Sequence, residues 1–270
     1  MTGTPFEQRI AVISGASAGI GEAVARQLAR AGARLVINAR RADLLDTIAG
    51  EIGHDRVATV PGDSADPRVV ESMLDTARDR FGRDADIVVV NAGRGLRGSV
   101  IDSDDGQWEE MIRTNVLGTA RLMREGGKRM LELCPDPKDD EGGGGSGGDG
   151  GWLENPRDLV VLGSNVGRHI SPFSSMYGAT KFAVNSLAEA LRRQLGPSGI
   201  RVSLIEPGIV RTEFQESAGY DAESFGQFME SVGPVLSADD VARTIMFVLS
   251  QPANVHVNDV LIRPTRQEYP

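Results

Sequence analysis

Short apolar runs alternate with stretches of helical periodicity along almost the whole chain, and no other feature restricts the possible folds so strongly. The runs fall at residues 9–14, 34–38, 57–60, 86–90, 158–162, 200–205 and 255–262, with helix-like patterns at 22–31, 42–52, 66–81, 107–133, 175–195 and 237–249. Apolar runs this short, with no in-and-out alternation, are strands buried on both faces, and strands separated by helices pair in parallel. The expectation is an α/β fold, a doubly wound parallel sheet of about seven strands with helices on both faces. With 270 residues and 40% apolar content, one large core and a single domain suffice.

In such a sheet, ligands bind where the strands end at their carboxyl edge. The first run leads into Gly15-Ala-Ser17-Ala-Gly19-Ile20-Gly21 at a helix start. Glycines let backbone approach a phosphate, and the free N–H groups of the helix terminus favour its charge. A tight βα turn that binds nothing is an equally ordinary use of such a loop. The fourth run ends on Asn91-Ala92-Gly93, where small residues permit close approach. The sixth runs into Pro207-Gly208-Ile-Val210-Arg211-Thr212, a sharp turn at the same edge.

Tyr177 and Lys181 stand four residues apart at the start of a helical stretch, so they share a face. An ammonium beside a phenol stabilises the phenolate and is expected to lower its pKa toward the range of an acid/base catalyst. Only three of the 29 basic residues are lysines, so a lysine at 181 is a choice against the chain's habit. Ser164 ends the 158–162 strand and its hydroxyl reaches the same edge. Asn115 lies inside a helical stretch, where asparagine is ordinarily a solvated surface group.

The remaining composition excludes more than it assigns. A net charge of −9 and a pI near 5.0 argue against nucleic acid or an anionic membrane as partner. Cys134 is a lone cysteine and the histidines at 54, 169 and 256 are scattered, which leaves no disulfide framework and no metal cluster. With no apolar run of membrane-spanning length and no leader pattern, a soluble cytoplasmic protein is expected. Residues 135–157 carry a Gly-rich run expected to be a flexible insertion on the face opposite the site, the alternative being a docking loop that uses Trp152 and Leu153. Residues 213–233, with three spaced glycines, suggest an irregular, mobile cover.

Taken together and in order, these motifs resemble the classical branch of the short-chain dehydrogenase/reductase family, over roughly residues 8–265. The resemblance implies a Rossmann-type fold and hydride exchange between a nicotinamide cofactor and an alcohol or carbonyl. It places Asn115, Ser164, Tyr177 and Lys181 on the four catalytic positions. Tyr177 would be the general acid/base, Ser164 would bond the reacting oxygen, Lys181 would hold the ribose hydroxyls, and Asn115 would hold a water behind Lys181. Cofactor contacts are expected from Gly15, Ser17, Gly19, Ile20, Gly21, Arg40, Arg41, Asp63, Ser64, Asn91, Ala92, Gly93, Tyr177, Lys181, Pro207, Gly208, Val210 and Thr212. Asp63 would take the adenine amino group. Ser14 stands where the family pattern usually has threonine.

The second strand ends on Ala39, where relatives preferring NAD place an acidic residue, and Arg40-Arg41 follow, so NADP(H) is the expected cofactor. Small 3-hydroxy acids are one expected substrate class, since residues 259–265 resemble the enzymes that use them and Arg94, Arg97, Arg168 and Arg211 lie in or near the pocket loops. The alternatives are a 3-oxoacyl-thioester reductase and a regulator that senses the dinucleotide without turnover, although relatives of that kind commonly lack the tyrosine or lysine. Small and apolar residues on more than one face of 175–195 suggest a homo-oligomer, and the resemblance favours a tetramer.

Overall fold

The computed structural model describes residues 6–133 and 150–268. Seven parallel strands form the central sheet: β1 (Ile10–Ser14), β2 (Arg34–Ala39), β3 (Val57–Pro61), β4 (Ile87–Val90), β5 (Arg157–Leu162), β6 (Ile200–Pro207) and β9 (Asp259–Ile262). Their order is β3-β2-β1-β4-β5-β6-β9, so the chain winds outward in one direction from β1 and then returns to start again at β4. Registers such as Val12↔Val36 and Val12↔Val88 place β1 between β2 and β4.

Alternate residues of one strand feed two separate cores. Ala11 and Ile13 join α1 (Gly19–Arg30), α2 (Ala42–Ile52) and α10 (Ala238–Leu249) on one face. Ile10 and Val12 join α3 (Pro67–Phe81), α5 (Thr119–Glu132) and α7 (Ser175–Leu195) on the other. Each large aliphatic side chain buried in this way contributes about 1.5–3 kcal/mol, so coverage on both faces is what makes continuous apolar strands stable. The expected doubly wound sheet is present.

Local signals set most helix ends. Asp66 accepts from the Arg68 amide and Pro67 occupies the first turn of α3. Ser237 and Asp240 form a reciprocal capping box at α10.

Four segments depart from the expectations. The stretch 107–133 is not one helix: α4 (Trp108–Ile112) passes through a π-helical segment, Arg113–Gly118, before α5. Residues 213–233 are not irregular either, since they contain α8 (Phe214–Ser217) and α9 (Ala222–Val232). Gly219 and Gly233, with φ of 79° and 91°, lie just beyond these helices in the left-handed region that ends them. A short parallel pair, β7 (Val210–Arg211) with β8 (Leu236–Ser237), closes that region and had no sequence signal.

The last strand begins at Asp259 rather than 255, because side chains of β6 intercept the preceding backbone. Arg201 donates to the carbonyls of Gln251, Pro252 and Val255, and the Ser203 hydroxyl donates to Val257.

Most of the expected insertion, residues 135–149, lies outside the described residues. Its end is ordered into α6 (Gly150–Glu154), and Trp152 packs on Gly199, where an added Cβ would come 2.6 Å from the indole. Gly199 immediately precedes β6, so α6 sits at the amino ends of the strands, away from the carboxyl edge, as expected.

Candidate active site

The crevice opens where the strand order reverses between β1 and β4. At its base the Ser14 hydroxyl accepts from the amides of Asn91 (3.0 Å) and Ala92 (3.1 Å). The Asn91 side chain donates in return to the carbonyls of Ser14 and Gly15, each at 3.0 Å. These bonds lash the first glycine loop to the end of β4. A Cβ at Gly21 would stand 2.3 Å from the Gly15 carbonyl oxygen, and one at Gly15 would stand 2.9 Å from the Ala92 Cα. Only glycine fits at either position.

A cavity of about 1340 Å³ rises from this base along the carboxyl edge of the sheet. Single drug-sized ligands occupy roughly 300–1,000 Å³, so a second molecule has room beside the first. Of the cofactor residues expected from the sequence, all but Gly21 line it; Gly21 lies beneath, in the packed turn. Ser164, Tyr177 and Lys181 line its middle, while Asn115 stands behind the wall.

The residues present fit a dinucleotide. The first turn of α1 has no side-chain cap, so its N–H groups face the cavity unclaimed by a side chain. Arg41 reaches over the glycine loop to the Ser17 hydroxyl (3.2 Å) and pairs with Glu213 (3.0 Å). Arg40 is three-quarters exposed and lies 3.6 Å from Glu110. Asp63 is already engaged, accepting from the Ala65 amide at 2.8 Å and pairing with Arg113 at 2.5 Å. Burial works against its charge, but those two donors hold its carboxyl below the usual range.

Asn115 is no surface group. It is 1% exposed, accepting from the Arg94 amide and donating to the Arg94 carbonyl, both at 2.8 Å, and donating to Thr180 at 3.0 Å. The Thr180 hydroxyl donates to the Tyr177 carbonyl at 2.7 Å. Asn115 thus joins the loop after β4 to the first turn of α7.

Lys181 is also buried, and its ammonium donates to the Leu162 carbonyl at 2.8 Å, 5.8 Å from the Tyr177 ring centre. The expected depression of the Tyr177 pKa is reversed. Burial pushes the phenol up, and a hydrogen bond with Ser164 only partly offsets it. Lys181 is itself pulled down to about 8 by burial. The physical reason is that desolvation penalises both charged forms while the ammonium spends a donor on a carbonyl instead of the phenolate.

Among the four arginines expected near the pocket, Arg94 and Arg97 line the cavity. Arg94 is paired with Glu110 at 2.6 Å. Arg168 turns away to pair with Glu206 and Asp259, and Arg211 is exposed outside the cavity.

Sequence reasoning passed over Glu206. It is fully buried, accepts from Arg168, and accepts from Asn185 at 2.5 Å, while Asn185 also holds the Gly167 carbonyl at 3.0 Å. It therefore fastens the 3₁₀ turn that follows Ser164 to α7. A charged residue inside the last turn of an apolar strand was the available signal. Gln267, which accepts from the Ile209 amide at 3.0 Å and abuts Gly208, had none.

The family model for short chain dehydrogenases matches residues 9–144 and 154–223. The chain belongs to the short-chain dehydrogenase family. An uncharacterized oxidoreductase of Staphylococcus aureus strain N315 is 30% identical over 261 residues, 97% of this chain and 99% of that one. Among solved structures, the closed form of a serine dehydrogenase complexed with NADP+ superposes with a TM-score of 0.82 at 27% identity, covering 96% of each chain. An alcohol dehydrogenase from the archaeon Thermococcus sibiricus complexed with 5-hydroxy-NADP gives 0.76 at 27%, covering 97% of this chain and 99% of that one. A 3-ketoacyl-(acyl-carrier-protein) reductase from Brucella melitensis complexed with NADH gives 0.80 at 25%, covering 96% and 98%. This short-chain dehydrogenase is an oxidoreductase whose family binds nicotinamide dinucleotides, and no helix among its described residues is long and apolar enough to cross a membrane.

The buried ammonium has a consequence for pH. Because the folded pKa of Lys181, about 8, lies below its ordinary 10.5, the unfolded chain holds the proton more tightly across that interval. The contribution to stability is complete above the unfolded value and is lost as pH falls through the folded one. Relative to Lys181→Met, the wild type should gain roughly 1.4 kcal/mol per pH unit between about pH 8 and 10 in chemical denaturation. A difference independent of pH would show that the ammonium is solvated.

Proposed function

We propose that the protein interconverts an alcohol and a carbonyl with NADP(H), Tyr177 acting as general acid/base. The observation that carries this reading is the convergence of Tyr177, Ser164 and Lys181 on one cavity whose other half is the glycine loop. When bound, the nicotinamide dinucleotide supplies or accepts the hydride. In the reducing direction the Tyr177 phenol, kept protonated by burial, donates its proton to the carbonyl oxygen. The Ser164 hydroxyl donates to the same oxygen as charge develops there. Lys181, fixed by the Leu162 carbonyl, holds the ribose hydroxyls, and Asn115 holds the Arg94 loop against α7.

Tyr177→Phe removes the proton donor while keeping the ring's contact with Phe214 at 5.5 Å between centroids. It should lower kcat by about a hundredfold or more with cofactor affinity nearly unchanged. Stopped-flow turnover and cofactor fluorescence titration measure the two separately, and retention of most of the wild-type kcat would refute the mechanism.

NADP(H) is preferred on this reading because Ala39 presents no carboxylate to a 2′-phosphate, while Arg40 and Arg41 both line the cavity beside it. The likeness to the serine dehydrogenase and archaeal alcohol dehydrogenase, each solved with an NADP species, supports the preference. A guanidinium–phosphate contact contributes about 1.5–3 kcal/mol. Arg40→Ala and Arg41→Ala should therefore each raise KM for NADPH by roughly ten- to a hundredfold and leave NADH kinetics nearly unchanged. Equal use of both cofactors by the wild type would remove the assignment.

Small 3-hydroxy acids draw support from Arg97 and from the likeness to a serine dehydrogenase, whereas an aromatic cavity lining weighs against a substrate that small. The likeness to a 3-ketoacyl reductase supports an acyl-thioester as the second reading. The single cysteine supports a reducing, cytoplasmic setting. A homotetramer is supported by apolar side chains left open on adjoining helices: Phe182 on α7, Ile112 on α4 and Leu117 after it are each more than 40% exposed. Light scattering at micromolar concentration should give about four times 28.8 kDa, and a monomer would reject the assembly.

A further inference from the structure

Resting on that reading of the site, we infer that the substrate is a carbonyl compound, or the matching secondary alcohol, carrying an aromatic or polycyclic apolar group. The chain has eight phenylalanines, and four of them, Phe173, Phe214, Phe225 and Phe228, line this one cavity together with Tyr177 and Tyr220. None of the six belongs to either hydrophobic core, which are aliphatic apart from Phe6 and Phe81. Half of the chain's phenylalanines thus stand beside the reacting phenol instead of in the cores.

Five of the rings stand in two contacting groups. Phe214 tilts against Tyr177, Tyr220 meets Phe225 at 5.2 Å between centroids, and Phe225 meets Phe228 at 6.0 Å. Their interplanar angles of 50–58° are the tilted packing that aromatic side chains favour. Phe173 is 70% and Phe228 44% exposed at the cavity's mouth, apolar area that nothing else among the described residues covers.

The segments that carry Phe173 and Phe214 are also held in place before any ligand enters. The Gly98 amide donates to the Phe173 carbonyl at 2.7 Å, the Ser175 amide to Gly98 at 3.1 Å, and the Arg97 amide to Ala218 at 3.0 Å. A Cβ on Gly95 would lie 2.6 Å from the Phe214 ring, so α8 rests directly on the loop after β4. Three loops are thus stitched into one bowl. A small hydroxy acid would leave most of this apolar surface in contact with water, whereas a ring system covers it.

The test is a methyl ketone series, acetone, acetophenone and 2-acetonaphthone, reduced under saturating NADPH, with calorimetric binding of 2-acetonaphthone to the NADP+-loaded protein. We expect kcat/KM to rise by roughly tenfold or more with each added ring. Phe225→Ala and, on the exposed rim, Phe228→Ala should each raise KM for the naphthyl ketone by about tenfold, with NADP+ affinity and circular dichroism as controls for folding. Comparable or better turnover of acetone or of a small 3-hydroxy acid would overturn the inference and leave the oxidoreductase reading standing. Binding of the naphthyl ketone that weakens in both variants, with no carbonyl reduced, would support the aromatic site and refute the catalytic reading. An aryl ketone that neither binds nor reacts would overturn the inference.

Discussion

The site depends on one lashing of backbone to side chain, the exchange between Ser14 and Asn91 at the carboxyl ends of β1 and β4. Two parallel strands whose following connections leave in opposite directions open a gap between them, and a gap in a sheet exposes backbone donors and acceptors that must find partners. Ser14 and Asn91 supply those partners. They take up the amides and carbonyls at the crevice floor, and they do so with short side chains that leave the space above free. Gly15 and Gly21 could not carry a Cβ under that arrangement, so the glycine loop answers to packing below it as much as to any ligand above.

The opposite end of the sheet is held by charge. Arg9 pairs with Asp86 and Asp158, and Arg201 pairs with Asp158 at 2.7 Å, all four lying at the amino ends of strands and nearly buried. Removing one member of such a group costs about 3–5 kcal/mol because its partner is left charged and unsolvated. The molecule therefore has a fixed end, bound by ion pairs and carbonyl contacts, and an end where polar groups are spent sparingly. Lys181 belongs to the second kind: its burial is tolerated through a single carbonyl.

Much of this was legible in the sequence because it rests on periodicity and on glycine. The seven strands, their parallel pairing and helices such as 42–52 and 175–195 follow from buried runs alternating with amphipathic ones. That Tyr177, Ser164, Lys181 and the three strand-end turns meet at one cavity was legible because each lies at or just after the carboxyl end of a strand or at a helix start. What escaped was set by contacts distant in the chain. In the π-helical segment Asn115 faces Arg94, 21 residues earlier, and a helix-length window around 115 does not reach that partner. Arg168 left the pocket for Glu206 and Asp259, 38 and 91 residues away. The Tyr177 pKa moved opposite to the local expectation because spacing in sequence reports which face a side chain is on, but not what its neighbour's hydrogen bonds are already doing. Helices α8 and α9 were hidden for a different reason: Gly219 and Gly233 end them and Gly226 lies inside α9, so the glycines mask their periodicity.

The π-helical segment also bears on how this chain tolerates change in length. A π turn amounts to one residue more than an α-helix needs, so removing a single residue from Arg113–Gly118 would restore regular hydrogen bonding and satisfy the helix as a helix. Because the surplus residue is absorbed within the turn, the flanks would stay in phase, and Glu110 before the segment and Leu122 and Met130 after it would keep their orientation. What would move is the segment's own set of contacts, where Asn115 reaches Arg94 and Arg113 reaches Asp63. The irregular turn is thus a local bulge that serves the site without disturbing the core, and the sequence change that repairs the helix is the one that unfastens Asn115.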